Sequence, residues 1–176
     1  MALTELVNAL RQQAAEAKAD GDSVGGEIAC TVTGLPAGLG GPGWREAVES
    51  ELARHLFAIP AVKALGFGDG AALAHMRGSR ANDPLRTDGT RVRTVTNHNG
   101  GINGGVTNGM PLTFTVTFKP TPSIALPQDT VDLSRMENCT VAITGRHDPC
   151  IVHRAVPVIE LSLIHISEPT RLRCIS

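Results

Sequence analysis

Apolar residues recur along this chain with two periods, and the two mark different elements. Leu112, Phe114, Val116 and Phe118 alternate with Thr113, Thr115 and Thr117. That period of two puts four apolar side chains on one face and predicts a half-buried strand. Leu3, Leu6, Val7, Leu10, Ala14 and Ala17 share one face at helical spacing, so residues 3–18 read as a helix. Asp20-Gly21-Asp22-Ser23 stops it, with Gly21 as the C-terminal cap. Ile28 to Thr33 reads as a strand. A second helix is expected from about Trp44 to Phe57, where Trp44, Val48, Leu52 and Leu56 are four apart. On that register Trp44 is a core residue rather than a ligand platform. Pro60 ends the helix, because the residue before a proline is pushed out of helical space. Ala61 to Phe67 reads as a short strand and Phe67 to Gly70 as a turn. Alternation returns at Arg91–Thr96 and Val141–Thr144, and Ala155 to Glu160 is apolar enough to pack.

The stretches between these elements carry the polar chemistry. Gly34 to Gly43 holds too much glycine and proline for regular structure. Asn97 to Gly109 is a glycine-asparagine loop, read as neither helix nor packed strand; its backbone bends sharply and offers N–H groups. Lys119, Pro120, Thr121, Pro122 and Ser123 follow the period-two strand: a turn restricted by two prolines, with one cation and two hydroxyls. Together these parts suit an anion. Arg77, Arg80, Arg86 and Arg91 lie in a charged stretch read as a solvated loop, or, in a sharper reading, as a lid that brings arginines to an anionic ligand. Gln128 to Asn138 reads as a polar connection. In Gly145–Cys150, Arg146 is a forked donor for phosphate or carboxylate, His147 is an imidazole that can take or give a proton, and Asp148 can orient or accept a proton. An Arg-x-Asp pair is more often a structural ion pair than a site.

At 176 residues, 41% hydrophobic and with a formal net charge of −1, the chain reads as one soluble globular domain. The balance of charge gives no support for a nucleic-acid surface, and one Trp with no Tyr gives none for base stacking. No apolar run reaches the length of a membrane span, and no secretory signal is expected at the start. Cys30, Cys139, Cys150 and Cys174 contain no C-x-x-C pair, so they are expected to be buried or free thiols in a reducing compartment rather than a disulfide or a metal site. The period-two strands with threonine on one face predict an α+β fold, with antiparallel sheets packed against helices.

The series GDSVGG at 21–26, GLPAGLG at 34–40, IPAVK at 59–63, FGDG at 67–70, RGSRAND at 77–83, TNHNGGINGG at 96–105, FKPTPSI at 118–124 and GRHDPCIVHRAVPVIE at 145–160 resembles the C-terminal half of the chorismate synthase family, in the family's order. The resemblance implies a cytoplasmic lyase that converts 5-enolpyruvylshikimate 3-phosphate to chorismate in the shikimate pathway. It implies reduced FMN as cofactor, helices packed between antiparallel sheets, and a homotetramer. It places FMN contacts at Pro60, Ala61, Gly104, Lys119, Pro120, Thr121, Pro122, Ser123 and Arg146. It gives Asp148 a part in moving the substrate proton, and Arg146 a second part facing the substrate phosphate. No nucleic acid, membrane or metal is implied.

GDSVGG with GLPAGLG looks like a degenerate second copy of the unit that opens the family, with Val24 where that first copy has its catalytic histidine. His98 is read as a structural hydrogen-bonder, not a replacement. The first half of the family is expected to be missing, so Met1 reads as an internal start and the fragment as inactive alone. Leu161 to Arg171, LSLIHISEPTR, resembles the translation of a transposon-derived sequencing adapter. Residues 161–176 are therefore set apart from 1–160, and His165 and Cys174 are not offered as ligands. A second hypothesis is a stand-alone flavin- or phosphate-binding module; the reading frame upstream of Met1 separates the two. A third is a translated artefact that never forms a stable protein.

Overall fold

The computed structural model describes the backbone of residues 3–166 and 171–175 and the side chains of residues 7–163. The chain folds as two compact units. One holds the residues up to 26 together with 119–153, and the other holds 27–118 with the residues from 154 onward.

The second unit is built on a four-stranded sheet in the order β10-β1-β7-β2. Its strands are β1 (Gly26–Thr33), β2 (Val62–Phe67), β7 (Leu112–Phe118) and β10 (Arg171–Ile175). β7 behaves as its alternation dictates: Leu112, Phe114, Val116 and Phe118 are buried and the threonines between them are half-buried. Each such side chain contributes about 1.5–3 kcal/mol on burial. β2 pairs antiparallel with β7 and sets Phe67 opposite Phe114, their rings 6.0 Å apart and tilted by 43°. β10 pairs antiparallel with β1. Helix α2 (Val48–Leu56) buries Leu52 and Leu56. Helix α4 (Val152–Ile166) buries Ala155, Ile159 and Leu163 at steps of four. The α+β class therefore holds.

Trp44 departs from its expected core position and is 76% exposed. The cause is a break in register. Glu46 N–H and Ala47 N–H both donate to Gly43 O, closing a separate turn at 2.9 Å each. Ala47 is then extended (φ −61°, ψ 131°), and the helix starts only at Val48. Trp44 is stacked instead by the guanidinium of Arg45, 4.6 Å from the ring centroid.

Three segments expected to be irregular carry strands. A 3-10 helix (Gly70–His75) precedes the charged stretch, within which the single turn α3 (Gly78–Ala81) leads to β3 (Leu85–Thr87); β3 forms a hairpin with β4 (Val92–Thr94), which falls where alternation was expected to return. Asp88 closes that hairpin by accepting from Thr90 N at 2.9 Å, Thr90 Oγ1 at 2.7 Å and Arg91 N at 2.8 Å. The glycine-asparagine loop contains a two-residue pair, β5 (Ile102–Asn103) with β6 (Val106–Thr107). In the first unit, the connection after Gln128 is a hairpin of β8 (Gln128–Asp132) and β9 (Glu137–Val141). The strand expected at Val141–Thr144 thus ends at Val141.

Also in that unit, α1 (Leu3–Ala19) stops as its capping glycine predicts. Gly21 has φ +71°, its N–H donates to Lys18 O at 3.2 Å, and Asp22 N–H donates to Ala17 O at 2.8 Å. This pair of bonds satisfies carbonyls that a helix end leaves open. Leu3 and Leu6 of the expected helix face lie outside the described side chains, as do His165 and Cys174. Residues 167–170 and 176 of the adapter-like tail lie outside the described residues, while α4 runs on through Leu161 to Ile166. Among the described residues no helix is long and apolar enough to cross a membrane.

Candidate functional site

In the first unit one short strap, Gly21 to Val24, ties two of the candidate segments together. Gly21 O accepts from Ala125 N–H at 2.9 Å, and Ser23 Oγ donates to Thr121 O at 2.6 Å. One residue further on, Val24 N–H donates to Pro149 O at 2.8 Å. The Lys119 turn and the Gly145–Cys150 corner are also joined directly. His147 Nε2 lies 3.1 Å from Ile143 O and must donate there, because a carbonyl only accepts. Nδ1 of the neutral ring is then left to accept the Ser123 hydroxyl, 3.1 Å away. Lys119 to Ser123 and Arg146 to Asp148 are thus brought together.

The side chains in this cluster are unevenly satisfied. Lys119, Pro120, Pro122 and Arg146 are exposed, and Thr121, Ser123 and Asp148 are half-buried. Among the described residues Lys119 and Arg146 enter no salt bridge. Thr121 Oγ1 is buried without a hydrogen-bond partner. Such an orphan costs about 1–3 kcal/mol, which a ligand atom could recover. Asp148 is held by an interaction of its own.

Pro60, Ala61 and Gly104 belong to the second unit. Ala61 has φ +72°, a left-handed backbone that costs a residue with a Cβ on the order of 1–3 kcal/mol. Gly104 turns the β5–β6 pair at φ +60°, and a Cβ built there would meet nothing within 4 Å. Its backbone therefore faces open space. The neighbouring Gly105 O accepts Val48 N–H at 3.0 Å, which seats the start of α2 on the same turn. Thr107 sews the Gly34–Gly43 loop beneath: its Oγ1 donates to Pro36 O at 2.7 Å and accepts Leu39 N–H at 2.9 Å.

Asp83 organises the start of the glycine-asparagine loop and was not singled out by the sequence pattern. Its carboxylate accepts from Thr96 Oγ1 at 2.7 Å, His98 N at 2.8 Å, Asn99 N at 3.0 Å and Asn99 Nδ2 at 3.1 Å. Burial works to raise its pKa. The Asn99 amide, the Thr96 hydroxyl and the His98 amide outweigh that and hold it below the ordinary carboxylate value. His98 takes the structural part expected of it, donating from Nδ1 to Asp69 Oδ2 at 2.6 Å. The signal that could have found Asp83 is an acidic residue with Thr, His and Asn thirteen to sixteen residues on, a separation no helix or strand period reports.

Two surface concavities are lined by none of these residues. One, of about 750 Å³, is lined by Trp44, Arg45 and Phe57 beside α2. The other, of about 460 Å³, lies on the β8–β9 hairpin.

Antiparallel strand pairs and helices define an α+β protein, in which a lysine-bearing turn and an arginine-bearing corner are stitched together. The family model described as chorismate synthase matches residues 1–166, and the chain belongs to the chorismate synthase family. A chorismate synthase of Thermococcus gammatolerans is 51% identical over 158 residues, 90% of this chain and 44% of that protein. One from Dehalococcoides mccartyi is 49% identical over 160 residues, 91% of this chain and 43% of that protein. A crystal structure of chorismate synthase aligns with a TM-score of 0.62 at 30% identity, covering 66% of this chain and 35% of the other. The chain spans less than half the length of the curated relatives it matches.

Proposed function

We propose that this chain is the flavin-holding portion of a chorismate synthase, a lyase that converts 5-enolpyruvylshikimate 3-phosphate to chorismate and phosphate. The substrate loses a ring proton and its phosphate in a 1,4-elimination, so no net oxidation occurs. The observation that carries the reading is the stitching of the Lys119 turn to the Arg146 corner, in a chain whose family is chorismate synthase.

The residues present fit reduced FMN. Lys119 and Arg146 offer exposed cations without salt-bridge partners, and Thr121 offers an unused hydroxyl. Pro120, Pro122 and Ser123 hold that turn in shape. Pro60, Ala61 and Gly104 supply backbone that a flat ring can approach, Gly104 having no neighbour where a side chain would stand. Bound there, reduced FMN would supply transient electron donation to the substrate, with no net redox change. Arg146 also faces the departing phosphate, and Asp148 handles the ring proton. Turnover requires parts of the longer enzyme beyond this chain, which works in the cytoplasm as a homotetramer.

Titrating the 176-residue chain with photoreduced FMN under anaerobic conditions tests the binding part. Binding weakened at least tenfold by Lys119→Ala is the expected result; equal affinity in that variant removes the assignment. In a full-length enzyme carrying these residues, Asp148→Asn is expected to slow chorismate formation while leaving flavin affinity intact, and normal turnover sinks that role. We also propose that residues 161–176 are adapter-derived. Sequencing the source locus is expected to show the frame diverging after Glu160, and an independently cloned gene with the same tail overturns it.

A further inference from the structure

An asparagine followed by glycine can lose its side-chain ammonia, because no Cβ shields the glycine nitrogen and the backbone there turns freely. The chain holds three such pairs, Asn99-Gly100, Asn103-Gly104 and Asn108-Gly109, all in the glycine-asparagine loop. Three conditions decide which of them reacts. The glycine N–H must be free of an acceptor, the asparagine carbonyl must be polarised, and the side chain must be able to turn onto that nitrogen.

Asn99 fails the first and the last. Gly100 N–H donates to Asn97 O at 3.0 Å, and Asn99 Nδ2 is held by Asp83 Oδ2 at 3.1 Å. Gly100 is also buried. Asn108 fails the last, since both ends of its amide are engaged. Its Oδ1 accepts Met110 N–H at 2.9 Å, and its Nδ2 lies 2.7 Å from Asn103 Oδ1. These two bonds fix the polarity of the Asn103–Asn108 pair. A backbone N–H only donates, so the Asn108 atom facing Met110 is its oxygen. Its nitrogen therefore faces Asn103 and must meet an acceptor there, the Asn103 carbonyl oxygen. Asn103 meets all three conditions. Its carbonyl is polarised, and both it and Gly104 are exposed. Asn103 Nδ2 and Gly104 N–H have no hydrogen-bond partner among the described residues.

We propose that Asn103 is a modification site, at which the fold directs deamidation through a cyclic imide. Gly104 N attacks Asn103 Cγ, and negative charge gathers on Oδ1, where Asn108 Nδ2 already donates. The Cγ–Nδ2 bond then breaks, and the side-chain nitrogen leaves as ammonia with the proton given up by Gly104 N. Water opens the imide at one of its two carbonyls, to aspartate or to isoaspartate, with no change of oxidation state. Isoaspartate adds a methylene to the main chain in the turn between β5 and β6. That turn also carries Gly105 O, which accepts Val48 N–H at the start of α2, and the bridge between Val106 and Gly40. Either product puts a carboxylate next to Gly104. On the flavin reading above it would weaken the hold on an anionic cofactor, but the modification itself does not depend on that reading.

The test is peptide mapping by tandem mass spectrometry of the 176-residue chain, aged in mildly alkaline buffer both folded and in guanidinium chloride. In the folded chain Asn103 is expected to convert about tenfold faster than Asn99 and Asn108, a barrier about 1.4 kcal/mol lower. In denaturant the three are expected to convert at similar rates, because each precedes glycine. Protein isoaspartate methyltransferase is expected to label position 103 of the aged folded chain. Asn108→Asp keeps the acceptor for Met110 N–H and removes the donor to Asn103, so it is expected to slow conversion at Asn103 several-fold; an equal or faster rate overturns the part given to Asn108. Conversion of Asn99 or Asn108 ahead of Asn103 in the folded chain overturns the proposal. So does an Asn103 that stays intact when folded while the denatured chain converts. The same preference for Asn103 in denaturant overturns it as well, by placing the cause in the sequence rather than the fold. The readout is covalent, so flavin affinity can fail or hold independently.

Discussion

Asp83→Ala removes one carboxylate and strands four donors at once, two of them backbone amides that open the glycine-asparagine loop. A hydrogen bond to a charged group contributes roughly 1.5–3 kcal/mol net when its surroundings are dry. Asp83 is only half-buried, so water replaces part of what is lost, and a total of about 2–4 kcal/mol is the reasonable scale. Asp83→Asn keeps one acceptor oxygen and should lose about half as much. The pH dependence has a definite sign. The folded pKa is depressed, so the stabilisation is fully present above the ordinary carboxylate value and is lost as pH falls from there through the folded value. Urea melts of the 176-residue chain measure the total, and hydrogen exchange at the His98 and Asn99 amides localises it. A fall of less than about 0.5 kcal/mol in Asp83→Ala, with both amides as protected as before, refutes the account, because a surface substitution with no special partner does no more than that.

Gly68→Ala and Gly104→Ala should separate packing from backbone strain, since both glycines have positive φ. At Gly68 a Cβ would run into the carbonyl of His98 and the amide of Gly100, whereas at Gly104 it meets open space. We expect Gly68→Ala to prevent cooperative folding and Gly104→Ala to cost about 1–2 kcal/mol in a thermal melt. Equal losses would show that the clash is easily relieved. The Asp88 carboxyl, held at about 2 by the Thr90 hydroxyl first and then the amides of Thr90 and Arg91, should titrate nearer the ordinary value in Thr90→Val when followed by NMR. Its part in holding the hairpin is present above the ordinary aspartate value and disappears as pH drops toward about 2; an unmoved midpoint in the variant would exclude the hydroxyl as the main cause. Ser23→Ala, which deletes the bond to Thr121 O, should cost about 1 kcal/mol and weaken flavin binding through the Lys119 turn. Unchanged flavin affinity would show that the strap only stabilises the unit.

What the sequence made legible is what periodicity can report. β7 could be read residue by residue because alternation along one strand depends on nothing beyond that strand. The end of α1 was equally plain, since a glycine in left-handed conformation acts within its own turn. Trp44 failed for the opposite reason. Its spacing matched the face of α2, but a turn closed on Gly43 interrupted the helix that the spacing assumed. β4 falls where alternation returns at Arg91–Thr96, but its partner β3 and the hairpin at 128–141 were missed, because their strands are exposed and bury no apolar face.

The candidate site divides along the same line. Glycine, proline, lysine and arginine announce that a loop can hold an anion, but the groups that place such a loop are single polar atoms acting over long separations. Ser23 reaches Thr121 across 98 residues, and Asp83 reaches Asn99 across 16. Neither belongs to a pattern, and by composition alone each looks like an ordinary solvent-facing side chain. Local identity therefore sets which ligand chemistry a turn can offer, while each brace fixes the shape in which its own turn offers it. Substitutions at the braces should alter geometry with every cation and hydroxyl of the site still present. That is why Ser23 and Asp83, rather than Lys119 alone, are the positions at which the reading of this site is most exposed to experiment.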